Sequence, residues 1–161
     1  MNAPASTNTA FGSGVCAHSS PSSNKTYAIF EVGREAMADR FESWAKALGI
    51  GYKRLVGSYE GEVNAAFIMD RTDLWLVDAA GWLIRQESIL VLGPLKDETT
   101  GRPMGSRSAR LVYLDGRPDL ALGRFRPTTP EFAMTQPGWT FDPASGVYFV
   151  ALEKPAGAVA A

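Results

Sequence analysis

The spacing of hydrophobic residues after the first 25 positions predicts a strand followed by a helix. Thr26–Val32 is rich in β-branched and aromatic residues, which is typical of a strand. From Arg34 to Leu48 the apolar residues recur every three or four positions, as they do on one face of a helix. Gly49 follows directly, where a glycine commonly ends a helix.

The next patterns predict a hairpin, a second helix and a buried strand. Tyr52–Tyr59 and Val63–Met69 are strand-like runs separated by a turn at Glu60-Gly61. Leu74–Arg85 follows residues that often cap a helix and carries apolar residues on one side, so we predict a helix there. Ser88–Leu92 is a short, continuously apolar run, as expected of a buried strand.

The element order through Leu92 is β-α-β-β-α-β, which predicts an α+β fold of the ferredoxin-like class: an antiparallel sheet backed by two helices. Lys96–Ser108 is polar and predicts a loop, and Ala109–Leu114 predicts another strand. After a Pro-rich connection, Trp139–Phe141 and Val147–Val150 flank a turn and predict a final hairpin. We expect these later strands to extend the sheet.

Length and composition favour one globular domain. The chain has 161 residues, of which 45% are hydrophobic and 20% charged, and this is enough to form a single core. Residues 1–25 are small and polar, so we expect a disordered leader, a domain over 26–152 and a flexible tail over 153–161. No apolar run approaches the ~20 residues of a membrane span, and the leader lacks the pattern of a signal peptide.

Charge and residue usage narrow the chemistry. A net charge of −1 argues against nucleic acid as a partner, since no strong basic field is present. Cys16 and His18 are the single cysteine and the single histidine, and both lie in the expected leader. We therefore expect no intrachain disulfide, no metal site and no Ser-His-Asp apparatus, which fits a protein of the cytoplasm.

The β-hairpin predicted around Glu60-Gly61 concentrates polar groups. Residues two apart on a strand share a face, so Glu62 and Asn64 should point the same way, with Tyr59 facing them across a tight turn. A phenol and a carboxylate in this arrangement can orient an amine or a hydroxyl, or move a proton. The same spacing also fits a solvated hairpin tip.

Two other positions carry polar groups beside apolar strands. Gln86 and Glu87 precede the run at Ser88, where polar side chains often line ligand sites, although they also fit a plain helix exit. Glu31 follows the apolar run of the first strand, and either points into a site or marks an edge.

Four short segments occur in an order and spacing that resemble one known family. Gly57-Ser58-Tyr59 is similar to its Gly-x-Tyr, which is followed by an acidic residue that opens the next strand. Gln86–Val91 is similar to its Gln-acid-x-Val-Leu-Val segment, and Ala109–Gly116 resembles its Leu-Val-Tyr-x-x-Gly strand. Gly123-Arg124-Phe125 matches a Gly-x-Phe. Over residues 27–150 the chain thus resembles the bacteriophage S-adenosylmethionine lyases, formerly called S-adenosylmethionine hydrolases.

This resemblance implies a ferredoxin-like fold similar to PII signalling proteins, assembled as a homotrimer with active sites between subunits. It implies that S-adenosylmethionine is a substrate and that no cofactor is needed. The substrate's own carboxylate attacks its γ-carbon and expels the neutral thioether, giving methylthioadenosine and homoserine lactone. In a bacterial host this reaction removes the methyl donor of restriction-modification systems.

The resemblance also assigns residues. Tyr59 maps onto the family's active-site tyrosine. One alignment puts Glu62 at the position of the active-site acid, and a tighter one puts Asn64 there. Gln86 and Glu87 map onto the segment close to the ligand, which implies that they bind substrate together with Asn64. The alternatives are a non-enzymatic small-molecule binder of the PII type and an anti-defence protein that acts by surface contact.

Overall fold

The computed structural model describes residues 24–96, 99–101 and 103–152. The expected tail and all but two residues of the expected leader lie outside these ranges. The described residues form eight strands, three helices and a 3-10 turn over Arg71–Asp73. The strands are β1 (Tyr27–Gly33), β2 (Tyr52–Tyr59), β3 (Glu62–Asp70), β4 (Ser88–Lys96), β5 (Pro103–Tyr113), β6 (Leu120–Thr128), β7 (Gly138–Asp142) and β8 (Val147–Leu152). The helices are α1 (Glu35–Leu48), α2 (Leu74–Ala79) and α3 (Pro130–Ala133).

The eight strands form one closed antiparallel barrel in the order β1-β3-β2-β7-β8-β6-β5-β4. The elements through β4 follow one another as predicted. However, β4 and β2, which would be the edges of a ferredoxin-like sheet, pair with β5 and β7. The prediction of a ferredoxin-like, PII-like α+β sandwich is therefore wrong: the fold is a barrel made mostly of sheet.

Strand β6 is the main reason for this difference. It lies in the segment predicted to be a Pro-rich connection, and it pairs with β5 on one side and β8 on the other. Strands β4 and β5 also continue into the stretch 96–108, which was predicted as a loop. The final hairpin, which was predicted correctly, then pairs through β7 with β2. Closure gives each of the eight described strands a partner on both sides.

Helix α1 packs against the outer face of the barrel through one fully buried phenylalanine. The ring of Phe41 lies 5.3 Å from that of Phe30 on β1, 6.1 Å from that of Tyr52 on β2 and 4.4 Å from that of Phe67 on β3. The helix ends at Gly49 as predicted. No helix among the described residues is long and apolar enough to cross a membrane.

A cluster of ion pairs around Arg54 fastens α1 to β2. The Arg54 guanidinium donates to Asp39 at 3.1 Å and to Glu42 at 2.8 Å, and it also pairs with Glu35. Partial burial acts to lower the pKa of Arg54, but the hydrogen bonds to Asp39 and Glu42 outweigh it, so the pKa is raised. The charge contacts therefore fix the start and middle of α1 over the strand.

Helix α2 is shorter than the predicted helix over Leu74–Arg85. It ends at Ala79 because Gly81 has φ = 84°, a left-handed conformation that glycine adopts without a steric penalty. The Gly81 amide donates to the carbonyl of Asp78 at 2.9 Å, and that of Trp82 donates to the carbonyl of Val77 at 3.1 Å. This pair of bonds is the usual glycine-based helix end.

The barrel interior is mostly apolar but contains a buried ion pair. Alternate strand residues point inward, and the fully or nearly fully buried ones include Leu55, Ile68, Leu92, Phe125 and Phe149. The Lys53 ammonium lies 2.6 Å from Oδ2 of Asp142, with both side chains buried. Asp142 also accepts hydrogen bonds from the Ala144 amide at 3.0 Å and the Ser145 hydroxyl at 2.8 Å. The pair thus ties the β7–β8 turn to β2.

Candidate functional site

The hairpin between β2 and β3 has the tight turn that the sequence predicts. Glu60 and Gly61 have φ of 50° and 86°, and two positive values in a two-residue loop define a type I′ turn. The turn sets Tyr59 directly opposite Glu62, and Gly57 opposite Asn64. Residues opposite each other in an antiparallel pair share a face, so all four lie on the face that becomes the barrel interior further down.

Tyr59 and Glu62 stand at the rim of the barrel. Tyr59 is 58% exposed, and its ring lies over Gly138 of β7, where an added Cβ would come within 3.2 Å of it. Glu62 is exposed, and no described residue gives it a hydrogen bond or an ion pair. Both side chains are therefore available to a ligand at the rim.

Below the rim, Asn64 meets a carboxylate from β1. Its Nδ2 donates to Oε2 of Glu31 at 2.9 Å, and both side chains are half-buried. The other carboxylate oxygen, Oε1, would lie 3.1 Å from a Cβ added at Gly57. The lack of a side chain at Gly57 therefore makes room for the Glu31 carboxylate. We call Glu31, Tyr59, Glu62 and Asn64 the interior polar row.

Gln86 holds the backbone of Glu31 from the β4 side. Its Nε2 donates to the Glu31 carbonyl at 2.6 Å, and its Oε1 accepts from the Glu31 amide at 3.4 Å. Strand β4 pairs with β1 only as far as Ile29 and Leu90, so the Gln86 side chain replaces the strand at the next position. A bulge between Glu31 and Gly33 follows directly, and bulges often re-aim side chains next to functional sites.

Glu87 lies apart from the interior polar row. Its carboxylate is exposed and accepts a hydrogen bond from Arg117 at 2.6 Å. Arg117 also contacts Asp115 at 2.8 Å, and this hydrogen bond lowers the pKa of Asp115. Gln86 bonds the backbone of Glu31, whereas Glu87 pairs with Arg117, so the two side chains have different surroundings. Of the sequence-predicted site residues, the structure brings Tyr59, Glu62 and Asn64 together with Gln86, and leaves Glu87 outside.

The sequence singled out Glu31 without deciding its role. The signal that could have placed it is its parity with Ile29 on β1, which puts it on the inward face once β1 is paired with β3. Glu31 lies opposite Ala66, one inward position along from Asn64. The local sequence pattern does not reveal that β1 pairs with β3, and this pairing is needed to place Glu31 on the inward face.

An open cleft of about 910 Å³ lies on the other side of the hairpin. It is bounded by the start of α1 and the β7–β8 turn, and its apolar floor includes Val56, Val63 and Ala65. These three residues alternate with those of the interior polar row along β2 and β3, so their side chains point to the opposite face. Asn64 of the interior polar row also lines the cleft, so the two features meet at this residue.

The described residues offer no metal centre, and no family match assigns a chemistry. In the described part of the chain, no group of three or more His, Cys, Asp or Glu side chains is placed to hold a metal ion. Cys16 and His18 lie outside that part. No protein-family model matches the chain, and no curated protein matches it. The chemistry must therefore be argued from the interior polar row.

Proposed function

We propose that the protein is a lyase that cleaves S-adenosylmethionine to methylthioadenosine and homoserine lactone. The observation that carries this proposal is the interior polar row: two carboxylates, an amide and a phenol on one face at the open end of the barrel. S-adenosylmethionine carries an ammonium and a sulfonium cation. The two carboxylates, of which Glu62 is exposed and Glu31 half-buried, attract such a cationic ligand.

The reaction asks little of the protein beyond positioning. One oxygen of the substrate's carboxylate forms a bond to the γ-carbon while the bond from that carbon to sulfur breaks, and the electron pair leaves on the thioether. No proton is transferred and no other reactant enters. The protein's task is to hold the folded-back conformer in which the carboxylate meets the γ-carbon. In this proposal the Tyr59 hydroxyl orients the chain, and Glu62 accepts from a ribose hydroxyl.

The proposed enzyme acts in the cytoplasm of a bacterial host, where it removes the methyl donor used by restriction-modification systems. We further propose a homotrimer with sites between subunits. The exposure of Tyr59 (58%) and Val63 (59%) at the rim supports this arrangement, because a neighbouring subunit would cover both and exclude water from the substrate.

A binding protein for the same class of cationic small molecule is the second candidate. The exposure of Tyr59 and Glu62 favours it as long as the chain is considered alone, because an open rim does not shelter a reactive conformer from water. In that case ligand would bind saturably and leave unchanged.

Incubation with S-adenosylmethionine, followed by chromatography, separates the candidates. We expect methylthioadenosine and homoserine lactone in equal amounts. Tyr59→Phe should lower kcat/KM by about tenfold or more, as expected for losing a hydrogen bond to a charged group. Glu62→Gln should lower it as well. Glu131→Gln on α3 removes one exposed carboxylate outside the polar row and is the matched control, with unchanged activity.

Saturable binding without products would replace the lyase by the binding protein. Neither binding nor products would reject both proposals. A monomer at assay concentrations that still turned over substrate would reject the intersubunit site alone.

A further inference from the structure

We infer that Glu31 supplies the carboxylate that binds the ammonium group of the substrate, with Gln86 and Asn64 as positioning residues. This inference rests on the proposed function and deepens it. The alignments on motifs offer Glu62 or Asn64 for the acid of the site, and the structure points to a third residue.

Both backbone polar groups of Glu31, its amide and its carbonyl, are hydrogen-bonded by one side chain. Gln86 bonds both its amide and its carbonyl, at 3.4 and 2.6 Å, at the point where the β1–β4 ladder has stopped. Both ends of the Gln86 amide are thereby used. Gln86 therefore acts in this proposal as a residue that fixes the backbone of Glu31.

One oxygen of the Glu31 carboxylate accepts a hydrogen bond, and the other has no donor among the described residues. Oε2 accepts from Asn64 at 2.9 Å, while no described residue donates to Oε1, which lies towards Gly57. In the tighter alignment, Asn64 occupies the position of the family's acid. Because Asn64 donates a hydrogen bond to Glu31, the Glu31 carboxylate lies next to that position. The half-buried carboxylate keeps one oxygen for a donor on the ligand.

Gly57, beside Oε1, and Tyr59 lie on the same face of β2. Gly57 and Tyr59 are two positions apart on β2 and share a face, which separates them by about 7 Å along the strand. A ligand with a cationic end against Glu31 would therefore extend upward past Tyr59 towards the rim.

The reaction favours the ammonium over the sulfonium as the partner of Glu31. The sulfonium loses its charge as the carbon–sulfur bond breaks, so a carboxylate against it would stabilise the ground state more than the transition state. The ammonium is charged throughout and can donate a hydrogen bond to Oε1. Because this contact is equally strong before and during the reaction, its loss should raise KM and leave kcat nearly unchanged.

The test compares three ligands that differ in charge. S-adenosylmethionine carries both cations, S-adenosylhomocysteine carries the ammonium without the sulfonium, and methylthioadenosine carries neither. Calorimetry should show that Glu31→Gln weakens the first two by about 10- to 100-fold, the range for a hydrogen bond to a charged group. Binding of methylthioadenosine should change less than about twofold. Gln86→Met should weaken binding of the same two ligands, but by a smaller factor. Glu131→Gln should leave the affinity for all three ligands unchanged.

Gly57→Ala provides a second variant in case Glu31→Gln does not fold. A methyl group at this position would lie 3.1 Å from Oε1, so the carboxylate must shift by a few tenths of an ångström from its place beside Asn64. It should therefore weaken the two ammonium-bearing ligands selectively. Thermal unfolding of each variant identifies any that is misfolded.

Each outcome decides one of the two ideas. The role of Glu31 would be overturned if Glu31→Gln weakened the binding of all three ligands equally or did not weaken it at all. It would also be overturned if the variant lowered kcat and left KM unchanged. The lyase proposal would survive each of these results. If the unaltered protein binds none of the three ligands and makes no product, the proposed function falls and the inference falls with it.

Discussion

Replacing Lys53 by Met tests whether the barrel interior is as dry as the structure implies. The Lys53 ammonium lies 2.6 Å from Asp142, and the two side chains are only 4% and 0% exposed. Methionine keeps a similar unbranched stem, so the exchange mainly removes the charge. The Asp142 carboxylate is then left in the interior with only neutral donors, the Ala144 amide and the Ser145 hydroxyl.

The expected magnitude follows from this environment. Removing one partner of a buried ion pair costs about 3–5 kcal/mol of unfolding free energy, because the other charge remains uncompensated. The two neutral donors to Asp142 place the expected cost near the lower end, at about 3 kcal/mol. Adding Asp142→Asn removes the stranded charge and keeps an acceptor for the turn. The double variant should therefore be more stable than Lys53→Met alone, by about 1–2 kcal/mol.

Urea unfolding followed by fluorescence measures both quantities, since the chain contains four tryptophans. Equal slopes of unfolding free energy against urea would show that the same surface is exposed in each variant. Glu87→Gln is the control, because it breaks an ion pair whose side chains are 73% and 49% exposed and should therefore change the unfolding free energy little. If Lys53→Met costs no more than this control, or the double variant is the less stable one, the interior is open to water and the reasoning fails.

Three further predictions concern single residues. The pKa of Asp70 is lowered: burial acts to raise it, but hydrogen bonds from the Thr72 amide and hydroxyl and the charge of Lys25 outweigh that effect. Its stabilising contribution is present above the unfolded pKa of about 4 and is lost as pH falls through the folded pKa. Asp70→Asn should therefore flatten the acid limb of melting temperature against pH, and an unchanged limb would contradict this. Gly61→Ala places a side chain at φ = 86° and should cost about 1–2 kcal/mol in urea unfolding, whereas no cost would mean that the turn relaxes. Phe41→Ala should cost about 3–5 kcal/mol, since the ring is fully buried among aromatic neighbours, and a cost below that of Gly61→Ala would show that α1 is not part of the core.

Local patterns predicted the elements whose signals lie within a few residues. The strand at Thr26–Val32, the helix ending at Gly49 and the turn at Glu60-Gly61 are all present. Strand β6 was not predicted from the sequence because only Phe125 of its nine residues is buried and because Pro127 lies within it. Its pairing with β8 satisfies the backbone of a segment that shows no alternation, so the signal for β6 resides in its neighbours.

Closure of the barrel could not be predicted either, because it depends on pairing between strands that are distant in the sequence. A sheet closes only when its two outer strands find partners, and here these pairings join β2 to β7 and β4 to β5. The first links residues that lie 79 to 85 positions apart. Element order alone is therefore compatible with an open sheet and with a barrel, and the choice depends on strands that come later in the chain.

The candidate site divides along the same line. Tyr59 and Glu62 could be paired from the sequence because one turn joins them. The bond between Glu31 and Asn64 spans 33 positions, and those between Glu31 and Gln86 span 55. Both require the order of β4, β1 and β3 in the sheet. The sequence could not separate Gln86 from Glu87 either, because their partners, Glu31 and Arg117, lie 55 and 30 positions away.

The end of the β1–β4 ladder explains why the polar groups gather where they do. If β4 continued alongside β1, its backbone would bond the Glu31 amide and carbonyl, and the two strands would stay side by side to the rim. The Gln86 side chain makes these bonds instead, so the strands can separate while no backbone group of Glu31 loses its partner. The adjoining bulge and the bare Cα of Gly57 then leave space for a carboxylate in a place that strand pairing would otherwise fill. Stability and site geometry thus depend on the same side chain, and exchange of Gln86 should lower the unfolding free energy and ligand affinity together, whereas exchange of Glu62 at the open rim should affect affinity alone.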